Sequence, residues 1–284
     1  PVVAASFLLG DQILNSEAIQ ALPEAERLSY YATEASAVQV PFVLLAFAFF
    51  ALAGVVGVIK LPKILAENKV DAHGYFHVLR DKKLVFGAIG IFVYVGAEVA
   101  LGSYMVNYGL SLDILEDVKT SALLGSMASV AAFIKGIDVA GLDAKGVLGA
   151  LLTFYWGGAM VGRFVGSALM QGIKPSSLLA GAGLLAVLLI GMSISMEGVA
   201  ALLMMLAVGF CNSIMFPTIF TLAIEDLGEA NPQGSGVLCT AIVGGAFIPP
   251  AMGALVDHAG FAVAFGLPML CHLYIVWYAG RLVP

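Results

Sequence analysis

Residues 84–110 read LVFGAIGIFVYVGAEVALGSYMVNYGL, a run of 27 residues with one charged side chain, Glu98. A helix of that length crosses, with some tilt, a hydrocarbon layer roughly 30 Å thick. Glu98 lies near its middle, where an ionisable group costs at least ~2.5 kcal/mol on insertion scales. A carboxyl so placed faces a polar pathway or a partner helix. The run therefore points to a membrane protein with a solute path through it.

Composition widens that reading to the whole chain. Of 284 residues, 61% are hydrophobic and 11% charged, against about 25% charged in soluble domains. Mean hydropathy is +0.99. The expected fold class is an all-α polytopic membrane protein. The net charge of −6 carries no information on partners, because the acids sit mostly in loops. No basic patch suggests nucleic acid. Cys211, Cys239 and Cys271 lie in or beside apolar segments without a CxxC pair, and read as small core hydrophobes. His73 and His77, four apart in a polar connector, find no further ligands around them. No metal and no cofactor is expected.

Seven membrane segments are expected at about 39–60, 84–110, 146–171, 176–196, 198–224, 235–256 and 260–280. Residues 1–10 are too short to span and lack a basic leader, so they read as the tail of a helix cut off upstream. The chain is thus expected to be truncated at its N-terminus. Residues 120–135 are apolar but short, and are expected to form an external interfacial helix or hairpin. Lys60, Lys63, Lys69, Arg80, Lys82, Lys83, Arg163, Lys174 and Arg281 fall on one side, nine of 13 basic residues. That bias places 61–83 and the C-terminus in the cytoplasm, with 11–38 external.

Three stretches carry a family resemblance: YVGAEVALGSYMVNY at 94–108, YWGGAMVGRFVG at 155–166, and NSIMFPTIFTLAIE at 212–225 followed by GSGVLCTAIVGGAFIPPAMGALVDHAG at 234–260. Together they resemble the fucose:proton symporter family of the major facilitator superfamily, closest to its bacterial glucose/galactose transporters. The resemblance implies a twelve-helix fold and alternating access. It further implies import of a hexose coupled to protons or sodium across the bacterial cytoplasmic (inner) membrane. On that frame 1–60 is the end of the N-terminal bundle, with a truncated fifth helix and the sixth. Residues 61–83 are then the cytoplasmic linker and 84–284 the C-terminal six-helix bundle. The partners implied are the sugar, the coupling cation, the bilayer and the missing N-terminal half.

Sugar recognition needs donors and acceptors for hydroxyls and an aromatic face for the ring. The candidates inside membrane segments are Glu98, Ser103, Asn107, Tyr155, Trp156, Asn212 and Phe216. Ser103 and Asn107 share a helical face. Glu98 and Asn107 are nine apart, about half a turn around a straight helix. Either Gly102 permits a bend that lets both reach one ligand, or the two have different jobs. Asn107 and Asn212 serve as sugar ligands or as interhelical hydrogen-bond partners. Trp156 is a stacking platform or packing. Glu98 reads first as a sugar-hydroxyl acceptor or conformational lock, and second as a proton carrier.

Gly158, Gly162 and Gly166 recur every four residues on one face, which permits close helix packing. Arg163 lies among them, near an expected cytoplasmic end. The family resemblance implies that such an arginine pairs with acids on a neighbouring helix and holds one conformation shut. Glu225 and Asp226 are the expected partners, and snorkelling to headgroups is the competing role. Pro217 and Pro249, with Pro250, interrupt two segments and mark broken helices. His272, alone in the last segment, is expected to be packed. No intramembrane protease motif is present, so an enzyme is not expected. A non-transporting sugar sensor with the same fold remains the alternative function.

Overall fold

The computed structural model describes residues 22–59, 78–135 and 144–281. The 1–10 stub, most of the 61–83 linker, and His73 and His77 lie outside these. All regular structure among the described residues is helical. The chain divides into two compact units.

One unit holds α1, Glu24–Val58. It follows Pro23, carries Glu24 and Glu26 in its first turn, and so begins well before the expected 39. Acids there complement the helix dipole, and residues 24–38 are helix rather than loop. Its apolar part is Val43–Val55, with Phe47 and Phe50 exposed.

The other unit holds the remaining helices. α2, Lys82–Ser111, starts where the Asp81 side chain accepts from the Leu84 amide at 2.8 Å, an N-cap that satisfies one orphan donor. α3 (Leu115–Thr120) and α4 (Ala122–Lys135) follow. The 14-residue α4 is too short to span, as expected of the 120–135 stretch, and it buries Leu124 and Ala128. α5 is Ala144–Leu169 and α6 is Pro175–Ser195, with Pro175 in its first turn, where its missing N–H is harmless. α7 (Gly198–Asn212) and α8 (Met215–Ile224) are one expected segment broken in two. After a short 3₁₀ turn at Gly228–Ala230, α9 (Asn231–Ala241) and α10 (Gly244–Ala264) repeat that pattern. α11 is Gly266–Arg281.

Gly260, with φ 76° and ψ 173°, is a true break inside α10. Only glycine adopts that backbone readily. The break marks the expected boundary between the last two segments. Five stretches are long and apolar enough to cross a membrane: Lys82–Ser111, Gly146–Leu169, Pro175–Ser195, Gly198–Ile224 and Gly228–Ala264. Of the other two expected spans, one corresponds to a shorter apolar helix in the middle of α1, Val43–Val55, and the other to the 16-residue α11.

α2 is the axis of its unit and packs against α5, α8, α9, α10 and α11. α7 packs against α5 and α6, and α11 against α6. Three tyrosines, Tyr94, Tyr155 and Tyr278, are among the largest fully buried side chains. Buried hydroxyls need partners; those of Tyr94 and Tyr155 define the candidate site, while the Tyr278 hydroxyl makes no hydrogen bond among the described residues.

Candidate functional site

The tenth expected helix breaks at Ser213-Ile214, and Pro217 explains the position. Proline has no N–H, so the carbonyl four residues earlier, that of Ser213, receives no helical bond. Arg163 Nε on α5 donates to that carbonyl at 3.3 Å. The preceding carbonyl, that of Asn212, accepts from the Tyr94 hydroxyl on α2 at 2.9 Å. Two adjacent carbonyls at the break are thus held by side chains from two other helices.

Tyr94 also reaches the lone acid. Its Oη lies 2.7 Å from Glu98 Oε1, one turn further along α2. Glu98 Oε2 makes no hydrogen bond among the described residues, and the side chain is half-buried. Arg163 lies within electrostatic reach of Glu98 without forming an ion pair with it.

A second chain of bonds runs through the Asn212 side chain. Its Nδ2 donates to Tyr155 Oη at 2.9 Å, and its Oδ1 lies 2.9 Å from His272 Nε2. His272 Nδ1 is 2.7 Å from the Pro268 carbonyl. Tyr155 Oη lies 3.4 Å from the Glu98 carbonyl. Asn212, Tyr155 and His272 are all fully buried. This network joins α2, α5, α7 and α11 at one level, around Glu98.

Of the candidate sugar ligands, Glu98, Tyr155 and Asn212 are brought together. Tyr155 and Asn212 stand behind Glu98, out of reach of solvent. Trp156 meets the Tyr155 ring edge-on, with centroids 5.2 Å apart. It also closes on Gly102, where an added Cβ would lie 3.1 Å from the indole. Gly102 therefore serves close approach, and α2 runs through it as a continuous helix. On that continuous helix Glu98 and Asn107, nine residues apart, stand about half a turn from one another. Ser103 and Asn107 are exposed and make no hydrogen bond among the described residues. Phe216 is half-buried beside Tyr94, at a centroid distance of 6.5 Å. It lines a cleft of about 480 Å³ with Arg163, Ser213, Pro217, Thr218 and Thr221.

The expected partnership of Arg163 with Glu225 or Asp226 is not the one observed. Lys83 Nζ holds both acids, at 3.3 Å and 2.8 Å. The reason is level: Arg163 sits beside the break, while the acids end α8 about 18 Å of helical rise further on. The glycine stripe accounts for the arginine's placement. Cβ atoms on Gly162 and Gly166 would collide with Ser213 and Ile214, so α5 presses directly on the break. At the other proline break, a Cβ on Gly244 would collide with the Phe92 backbone. Pro249, five residues beyond Gly244, is buried within α10.

Tyr94 and His272 were missed as site residues. The i, i+4 spacing of Tyr94 and Glu98 puts them on one face and was a usable signal. For His272 the sequence carried none, since its partner Asn212 is sixty positions away.

No family model matches the chain. It is 41% identical over 254 residues to a glucose/galactose transporter of Brucella abortus, covering 86% of this chain and 53% of that protein. A putative glucose/galactose transporter of Helicobacter pylori is 40% identical over 251 residues, covering 87% and 54%. The L-fucose-proton symporter of Escherichia coli is 27% identical over 286 residues, covering 98% and 59%. The chain spans about half the length of the curated relatives it matches. Its fold is that of the major facilitator transporter FucP in the outward conformation, with a TM-score of 0.64 at 24% identity, over 98% of this chain and 62% of that one. The motifs around Glu98, Arg163 and Pro217, the relatives and the shared fold agree: over the part of their length that it spans, the chain is a homologue of bacterial glucose/galactose transporters and of the L-fucose-proton symporter, with a major facilitator fold.

Proposed function

We propose that the protein imports a hexose by cation-coupled symport, through alternating access of two helical bundles. The observation that carries this reading is the half-buried Glu98 carboxyl, in mid-membrane, set in a polar network at a helix break. Broken helices of this kind offer backbone and side-chain groups to a solute at the bilayer centre. Glu98 Oε2 is the acceptor for a sugar hydroxyl, Trp156 and Phe216 offer apolar faces, and Asn212 and Tyr155 fix the carboxyl from behind. Ser103 and Asn107, further along α2, line the path on a different face. Arg163 and Pro217 hold the break in one conformation, while Lys83 with Glu225 and Asp226 latches the far ends of α2 and α8. Pro249 shapes the other broken segment.

In this reading residues 1–60 belong to one bundle, 61–83 link, and 84–284 form the second. The basic bias puts the linker and C-terminus in the cytoplasm, with the protein in the inner membrane. The name of the Escherichia coli relative favours the proton over sodium as coupling ion.

Uptake of radiolabelled glucose, galactose and fucose into vesicles bearing the native gene product tests this. Accumulation above equilibrium under an inward pH gradient is expected. Accumulation driven by sodium alone would replace the proton in the scheme. Sugar binding with no gradient-driven accumulation would identify a sensor instead and defeat the transport reading.

A further inference from the structure

Tyr94 has one hydroxyl proton and two oxygen neighbours, Glu98 Oε1 at 2.7 Å and the Asn212 carbonyl at 2.9 Å. The Asn212 carbonyl can only accept. An ionised carboxylate can also only accept. With Glu98 ionised, one of the two contacts would set lone pair against lone pair in a buried site. A second proton resolves this: Glu98 donates to Tyr94 Oη, and Tyr94 donates to Asn212. Both contacts are then hydrogen bonds of ordinary length.

We infer that Glu98 is a proton-binding site whose proton closes a clamp, through the Tyr94 hydroxyl, between α2 and the α7–α8 break. When the proton leaves Glu98 for water, Tyr94 turns its O–H to the carboxylate and the Asn212 carbonyl loses its donor. The neighbouring carbonyl responds in the same sense. Arg163, which holds the Ser213 carbonyl at 3.3 Å, is the cation nearest the new anion and is drawn toward it. One proton thus controls both unfilled carbonyls of the break. By linkage, a movement that opens the break lowers the affinity of Glu98 for its proton. The titratable and charged groups facing Glu98 are Tyr94 on its own helix and Tyr155 and Arg163 on α5, with Cys211 on α7 beside Tyr155 and His272 on α11 behind Asn212. Among the described residues, only Arg163 opposes the proton by charge. Glu98 Oε2 stays available to a sugar hydroxyl in the protonated state, so sugar and proton share one carboxyl.

This inference deepens the transport reading and rests on it for its role, but its first test does not need transport. Infrared difference spectra of the purified native protein, taken across a pH titration, should show a protonated-carboxyl band that is absent in Glu98→Gln. Should that variant not fold, Tyr94→Phe makes the assignment, because the acid loses its acceptor and its band shifts. In vesicles, Glu98→Gln keeps a donor toward Tyr94 but alters a group placed against the sugar, so its accumulation is read relative to its own equilibrium sugar exchange. Accumulation driven by a pH gradient should fall at least about tenfold, in the range of typical coupling energies. Tyr94→Phe should lower accumulation relative to its own exchange in the same way. Undiminished accumulation by Glu98→Gln, or a carboxyl that stays ionised at every pH where the protein binds sugar, would overturn the inference. Failure of the unaltered protein both to exchange and to accumulate sugar would instead remove the transport reading, with the infrared band still reporting on the proton.

Discussion

Two segments of this chain break ahead of a proline, three to four residues before Pro217 and six to seven before Pro249, and they have opposite characters. Between α7 and α8 the unfilled carbonyls of Asn212 and Ser213 take hydrogen bonds from Tyr94 and Arg163 on other helices. Between α9 and α10 the break closes on itself. The amides of Gly245 and Ala246 bond to the carbonyls of Ile242 and Val243 at 3.0 Å and 2.8 Å, in tight i→i−3 fashion, and Gly244 lies flat against the Phe92 backbone. Proline alone does not make a site. A break becomes one where neighbouring helices bring polar side chains to it; elsewhere it is a way to bend and pack.

The comparison breaks if the two segments respond alike to substitution. Asn212→Leu should have the largest effect, because it leaves Tyr155 and His272 buried without their partner at about 1–3 kcal/mol for each. Thermal unfolding in detergent should show it as a large loss of stability, and a shift of a degree or less would mean that water replaces the amide. Gly244→Val tests the other break by volume. The added side chain has to push α10 off the Phe92 backbone, and overpacking of that kind costs about 1–3 kcal/mol. The same melts read it, and no loss would show that the close approach is not tight.

What the sequence made legible follows the same division. The segments from 84 onward were read to within a few residues, because membrane-length apolar runs and short polar turns are strong local signals. The last two were less well bounded: α10 runs to Ala264, past the expected end at 256, with Gly260 as a break inside it, and α11 starts at Gly266. The start of α1 was missed, since residues 24–38 are polar and their helix is announced only by Pro23 and the acids after it. At the site, Glu98 and Asn212 stood out as polar residues in apolar runs, whereas the bonds between them depend on rotation and level of separate helices. Arg163 shows the limit best. Its glycine neighbours signalled close packing, but only the structure places it beside the Ser213 carbonyl and away from Glu225.

Transport activity should separate the two prolines more sharply than stability does. Pro217→Ala restores an N–H that competes with Arg163 for the Ser213 carbonyl, and gradient-driven uptake should fall about tenfold, equivalent to ~1.4 kcal/mol of transition-state stabilisation. Pro249→Ala lies where no side chain from another helix donates to the break, and uptake should change by less than about threefold, under ~0.7 kcal/mol on the same scale. Equal losses would mean that both breaks work as hinges.

The smallest effect is expected where α2 and α8 meet a second time, at their ends. Lys83 holds Glu225 and Asp226 there, but both acids are more than 60% exposed, so water and salt screen the pair. Exposed ion pairs contribute about 0–1 kcal/mol, and Lys83→Met should lower the melting temperature only slightly, with the difference shrinking further at high salt. The same two helices are joined at the break by the buried Tyr94 hydroxyl, whose loss should lower coupled uptake relative to exchange by at least about tenfold. If Lys83→Met were instead to match Tyr94→Phe in lost accumulation, the ends of α2 and α8 would be the control point, and the break would only transmit what happens there.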